Sequence, residues 1–144
     1  MPMQMNSVPE DSPRDFYKLG GKFLKAARII FQKDFPNLDF PAFALAGQAI
    51  ELFLKAYLRT KGQSLGKLRS IGHNLEFAFK TAERHGLTQI FKVEAGDQET
   101  LKVLSFVYQS KDFHYKYQGS WELPLPNWTI GFAERLFQAV SRHC

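Results

Sequence analysis

The sequence predicts an all-α fold, and three observations predict it. Apolar residues recur at three- and four-residue spacing through most of the 144 residues, residues that start and stop helices flank those runs, and no long stretch apart from FHYKY (113–117) alternates in the manner of a strand. Helices joined by connections of modest length are expected to assemble as an antiparallel up-and-down helical bundle of four to five helices.

The first helix is expected from SPRD. Ser12 can cap, Pro13 suits the first helical position, and Asp15 completes a capping-box start at the positive helix end. Phe16, Phe23, Ala27, Ile30 and Phe31 then share one face, and Lys18, Lys22, Lys25, Arg28 and Lys33 share the other. Gly20 and Gly21 each weaken this helix by roughly 1 kcal/mol relative to Ala, which points to a close helix crossing there. FPNLDFPAF (35–43) ends it near Asp34, and a second helix is expected from about Pro41 to Lys61 with Gly62 as its stop.

That second helix sets the architecture. At 100° per residue Gln48, Glu51, Lys55 and Arg59 gather within an arc of about 80°, and apolar residues from Leu45 to Leu58 fill most of the remainder. A helix so patterned is central, and the charged ladder is the strip by which it reaches water, a groove or a second copy of the chain.

KGQSLGKLRSIG (61–72) reads as a connection. The third helix follows, with Asn74 as cap, Leu75, Ala78, Phe79 and Ala82 as its inner stripe and Gly86 as its stop. LTQIFKVEAG adds a turn of helix before Asp97. That residue is expected to cap a fourth helix with Leu101, Leu104, Ser105 and Tyr108 on one face, and WTIGFAERLFQAVSRH closes the chain with Ile130, Ala133, Phe137 and Val140 in register. Residues 1–11 read as a flexible arm and 12–144 as a single domain.

The composition bounds the function. Hydrophobic residues at 44% and aromatics at 15% are enough for a folded core without metals or disulfides. The sole cysteine, Cys144, allows no intramolecular disulfide and no cysteine-based metal site. MPMQMNSVPEDS lacks the basic and apolar regions of a secretory leader, and no stretch reaches the apolar length of a membrane span, so a cytoplasmic protein with no membrane association is the expectation. A net charge of +5 and a pI near 9.4 raise the prospect of an anionic partner without excluding a merely solvated basic surface.

Four features bear on chemistry, each with an ordinary alternative. His73, at a helix start near Lys67 and Arg69, could act as an acid or base or meet a phosphate, or it could simply bond local backbone or a carboxylate such as Glu51. The ladder Glu51, Lys55, Arg59 is either a solvated ion pair with Glu before Lys or a polar strip in a groove or dimer seam. In KDFHYKY, Lys111, His114 and Lys116 alternate with Phe113, Tyr115 and Tyr117, presenting charge for phosphates and rings for bases, or packing down over the helices. The four histidines show no metal-ligand spacing, and GKLRS lacks the pattern of a phosphate loop, so no metal and no cofactor is expected.

One combination resembles a known family. Ala49, Glu51, Leu52, Leu54, Lys55, Ala56 and Leu58 form A-x-E-L-x-L-K-A-x-L, and Gly72, His73, Asn74 and Leu75 form the later G-H-N-L. This is similar to the HEPN superfamily, over roughly Ser12 to Tyr117. The resemblance implies a helical bundle, frequent homodimerisation and a role close to RNA or nucleotides. Many members are metal-independent ribonucleases. Others are non-catalytic, including partners of small nucleotidyltransferases in toxin–antitoxin-like pairs. The family's nuclease motif is an Arg, four to six residues, and a His. Here Arg69 and His73 are separated by three residues, Arg84 and His85 by none, and Arg135 and His143 by seven. The expectation is therefore a non-catalytic module engaging RNA, a nucleotide or a partner protein through Glu51, Lys55, Arg59, Lys111, His114, Tyr115, Lys116 and Tyr117. The alternative is a divergent ribonuclease using His73 or His114 with Arg69 or a neighbouring Lys.

Overall fold

A computed structural model describes residues 12–34, 37–109 and 126–144. Among these residues every regular element is helical: α1 (Pro13–Lys33), α2 (Asp39–Thr60), α3 (Leu65–Ile71), α4 (Leu75–Arg84), a 3-10 turn at Leu87–Gln89, α5 (Asp97–Gln109) and α6 (Pro126–Ser141). The expected arm at 1–11, the FHYKY alternation and the candidates Lys111, His114, Tyr115, Lys116 and Tyr117 lie outside the described residues.

The helix ends form for local reasons. The Ser12 hydroxyl accepts the Asp15 N–H at 3.1 Å and the Asp15 carboxylate accepts the Ser12 N–H at 3.1 Å, a reciprocal cap that holds the Asp15 carboxyl below its ordinary range. Asn74 Oδ1 accepts the Phe77 N–H at 3.0 Å and starts α4. Gly86, at φ +93°, takes the left-handed conformation that ends it.

Each of the other five described α-helices packs against α2. The whole run from Ala49 to Leu58 is buried, as expected of a helix with apolar residues on most sides. α1 crosses it at Gly20, where a Cβ would lie 2.7 Å from Phe53 Cε1 and 3.2 Å from Leu52 Cβ; only a glycine lets the two backbones approach so closely. Phe53 in turn meets Phe137 of α6 at 5.4 Å between ring centroids, and Phe137 stacks on Tyr17 at 5.0 Å, so aromatic rings tie α1, α2 and α6 together. A second set, Phe79, Phe91 and Phe132, joins α4 and α6 through the connection that follows α4.

Four expectations need correction. Residues 65–71, read as connection, form α3. The Ser64 hydroxyl accepts the Lys67 N–H at 3.1 Å, and Leu68 and Ile71, one turn apart, are buried, which outweighs the poor propensity of Gly66. α2 starts at Asp39, before Pro41, because proline is tolerated throughout the first turn, where N–H groups have no intrahelical acceptor. α6 likewise starts at Pro126 rather than Trp128, and its inner stripe is Phe132, Ala133, Leu136 and Val140, with Ile130 and Phe137 only partly buried. Finally, Asp97 is the first residue of α5 rather than its cap. Its carboxylate accepts the Glu94 N–H at 2.7 Å and faces Arg135.

Candidate functional site

The charged ladder of α2 is not a solvent strip. Glu51 is 3% exposed and Lys55 8%, although the sequence places both on the one polar arc of the helix. The arc is covered by the α3–α4 connection, which brings in His73, and by α5, which brings in Tyr108. Gly47 makes room for that side chain: a Cβ there would lie 3.0 Å from Tyr108 Cγ and Cδ1.

The result is a compact polar cluster around one carboxylate. Lys55 Nζ donates to Glu51 Oε2 at 2.8 Å. His73 Nδ1 donates to Glu51 Oε1 at 2.7 Å, and the Tyr108 hydroxyl lies 3.0 Å from the same oxygen and also against Gln48 Oε1. A buried carboxylate is tolerable only when charged and hydrogen-bonding partners meet it in this way. The imidazole packs edge-on to the Tyr108 ring at 5.6 Å, which fixes its orientation. Burial raises the Tyr108 hydroxyl well above the ordinary phenol range, and the neighbouring Glu51 charge adds to the shift, so the phenol stays protonated.

Chemically the cluster does one outward-facing thing. Nδ1 is engaged by Glu51, and the ring's other nitrogen, Nε2, belongs to a side chain that is 63% exposed. Arg69, the other sequence candidate here, lies on the exposed side of α3, and among the described residues no hydrogen bond or ion pair joins it to His73. Arg59 Nη1 donates to the Gln63 carbonyl at 3.1 Å, closing the end of α2. His85, adjacent to Arg84, is structural: Nδ1 donates to the Thr81 carbonyl at 2.8 Å, and Nε2 accepts from Gln63 at 3.1 Å.

A second buried charge went unread in the sequence. Asp97, 2% exposed, is gripped by both terminal nitrogens of Arg135, and that guanidinium lies over the Phe91 and Phe132 rings at 5.2 and 5.7 Å. Arg135 also lines an open groove of about 870 Å³ beside Arg28, Phe137, Arg142 and His143. No spacing rule links residues 97 and 135. The available signal was an arginine directly among the apolar positions of α6. Tyr108 was legible as an inner-face residue but not as a partner of Glu51, since the two are joined only by the crossing at Gly47.

Among the described residues no three His, Cys, Asp or Glu side chains converge where a metal ion could sit, and no helix is long and apolar enough to cross a membrane. Fold and cluster together define an all-helical protein whose central helix carries an internally satisfied Glu–Lys–His–Tyr network. No protein-family model, curated protein or solved structure matches the chain.

Proposed function

We propose that this chain is a HEPN-like helical bundle acting as a non-catalytic module that binds RNA. The observation that carries the reading is where the charge lies. Buried Glu51 is paired with Lys55 and buried Asp97 with Arg135, so among the described residues the excess of Lys and Arg over Asp and Glu lies outside these pairs. Meanwhile the Glu51 carboxylate is occupied by Lys55, His73 and Tyr108 and has no access to a substrate. A basic exterior over an inward-turned polar cluster suits phosphate neutralisation better than proton transfer. Homodimerisation, and pairing with a small nucleotidyltransferase in a toxin–antitoxin-like system, belong to the same proposal. Light scattering and co-purification of the two proteins read them directly.

A divergent metal-independent ribonuclease is the second reading. It is favoured by one observation, the exposed His73 ring held at Nδ1 by a buried carboxylate, an arrangement that suits a general base. It ranks lower because acid–base cleavage needs a second group across the scissile bond, and among the described residues the only side chain bonded to the His73 ring is Glu51, itself buried and held by Lys55 and Tyr108. Incubating the protein with a labelled RNA and excess chelator separates the readings. The proposal expects a mobility shift with the RNA intact. Cleavage that disappears in His73→Ala would establish the second reading instead.

A further inference from the structure

We infer that the outer face of α1 is the surface that contacts the phosphates of single-stranded nucleic acid. Arg14, Lys18, Lys22, Lys25 and Lys33 are all exposed and fall within an arc of about 100° on this helix, spanning about 28 Å at 1.5 Å per residue. Among the described residues none of the five is in an ion pair.

The helix contains one carboxylate, Asp15, which is spent on the N-terminal cap, and its remaining cation, Arg28, is paired with Glu134 of α6 at 2.7 Å. Like charges at i,i+4 (14 with 18, 18 with 22) and i,i+3 (22 with 25) cost a helix a few tenths of a kcal/mol each, and interleaved glutamates would relieve them. Among the described residues no acid is paired with these five cations, so an external polyanion supplies the missing charge. Ile29, 47% exposed, sits inside the same stripe and offers an apolar contact for a base face, which a single strand displays and a duplex hides.

The inference rests on the RNA-binding reading above and adds the surface to it. A fluorescent 20-nucleotide oligouridylate followed by anisotropy tests it. Five phosphate contacts at a slope of about 0.7 each predict that affinity falls about 100-fold between 50 and 200 mM salt. In Lys18→Gln/Lys22→Gln/Lys25→Gln the fall shrinks to about 7-fold. The exposed cations Lys61, Lys67 and Lys80, changed together to Gln, leave the profile as in the parent, and Lys→Arg at 18, 22 and 25 restores it. An α1 variant that keeps the parent salt dependence overturns this surface while leaving RNA binding itself standing. Equal affinity for a duplex of the same length overturns the single-strand assignment. Absence of parent binding, or binding only to phosphatidylserine vesicles, overturns both this inference and the RNA-binding reading.

Discussion

Gly20→Ala and Gly131→Ala are chemically the same change inside two helices, and the structure assigns them opposite signs. Either alanine gains about 1 kcal/mol of helix propensity. At Gly20 the new methyl would stand 2.7 and 2.9 Å from the Phe53 ring and 3.2 Å from Leu52 Cβ. The ring cannot swing away, because Phe53 is fully buried and held against Phe137 at 5.4 Å and Tyr17 at 6.0 Å, while the Leu52 Cβ is fixed to backbone. Overpacking of this kind costs about 1–3 kcal/mol, so after the propensity gain the net effect is a loss of up to about 2 kcal/mol. At Gly131 no described atom lies within 4 Å of the added methyl, and the propensity gain survives. For a chain of this size these values correspond to a melting temperature lower by up to about 8 °C for Gly20→Ala and higher by about 3 °C for Gly131→Ala. Thermal unfolding followed by circular dichroism reads both. A stabilised Gly20→Ala would refute the close crossing of α1 on α2.

Other outcomes follow from the buried charges and the shifted groups. Arg135→Ala strands the buried Asp97 carboxylate and is expected to cost about 2–4 kcal/mol in urea unfolding, with Arg135→Lys recovering only part because lysine lacks the two-pronged grip. Burial pushes the Cys144 thiol from 9.0 up to about 11, so its alkylation at pH 8 should run about 100-fold slower in the folded protein than in the unfolded chain. The same raised value means that the fold favours the neutral thiol: that stabilisation is complete below about pH 9 and is lost as pH rises towards 11. Tyr108 is raised by burial first and by the Glu51 charge second, so Glu51→Gln should let it ionise at lower pH in an alkaline absorbance titration, while an unchanged titration would remove Glu51 from its surroundings.

Much of this fold was legible because its determinants are local. Ser12 and Asn74 sit where their side chains can reach an N–H three residues on, Gly86 stands where a left-handed turn is needed, and the near-continuous apolar surface of α2 demanded neighbours all around. Gly20, costly in a helix, marked a crossing for the same reason. What escaped was set by tertiary contacts. Glu51 and Lys55 lie on the polar arc of α2, and polarity at helical spacing ordinarily means solvent. Only the arrival of His73 and Tyr108 on that arc makes burial tolerable. The ordinary alternative considered for His73, a bond to Glu51, is the one the structure contains. Asp97 has the residue type and position of a helix cap, yet its partner Arg135 is 38 residues away and no periodicity could announce it. α3 was hidden by composition, since Gly, Ser and Lys around Leu68 and Ile71 look like a loop until the two apolar side chains are seen to share a face.

The claim on which the rest depends is that Glu51 and Lys55 form a buried pair within the protein, and a double-mutant cycle on Glu51→Gln and Lys55→Met measures it most directly. Glu51→Gln turns an amide NH2 towards a buried ammonium and is expected to cost about 3 kcal/mol in chemical unfolding, with Glu51→Gln/Lys55→Met regaining at least about 2 kcal/mol of that loss. Single variants within about 0.5 kcal/mol of the parent, and no coupling between them, would show an exposed surface pair and contradict the account.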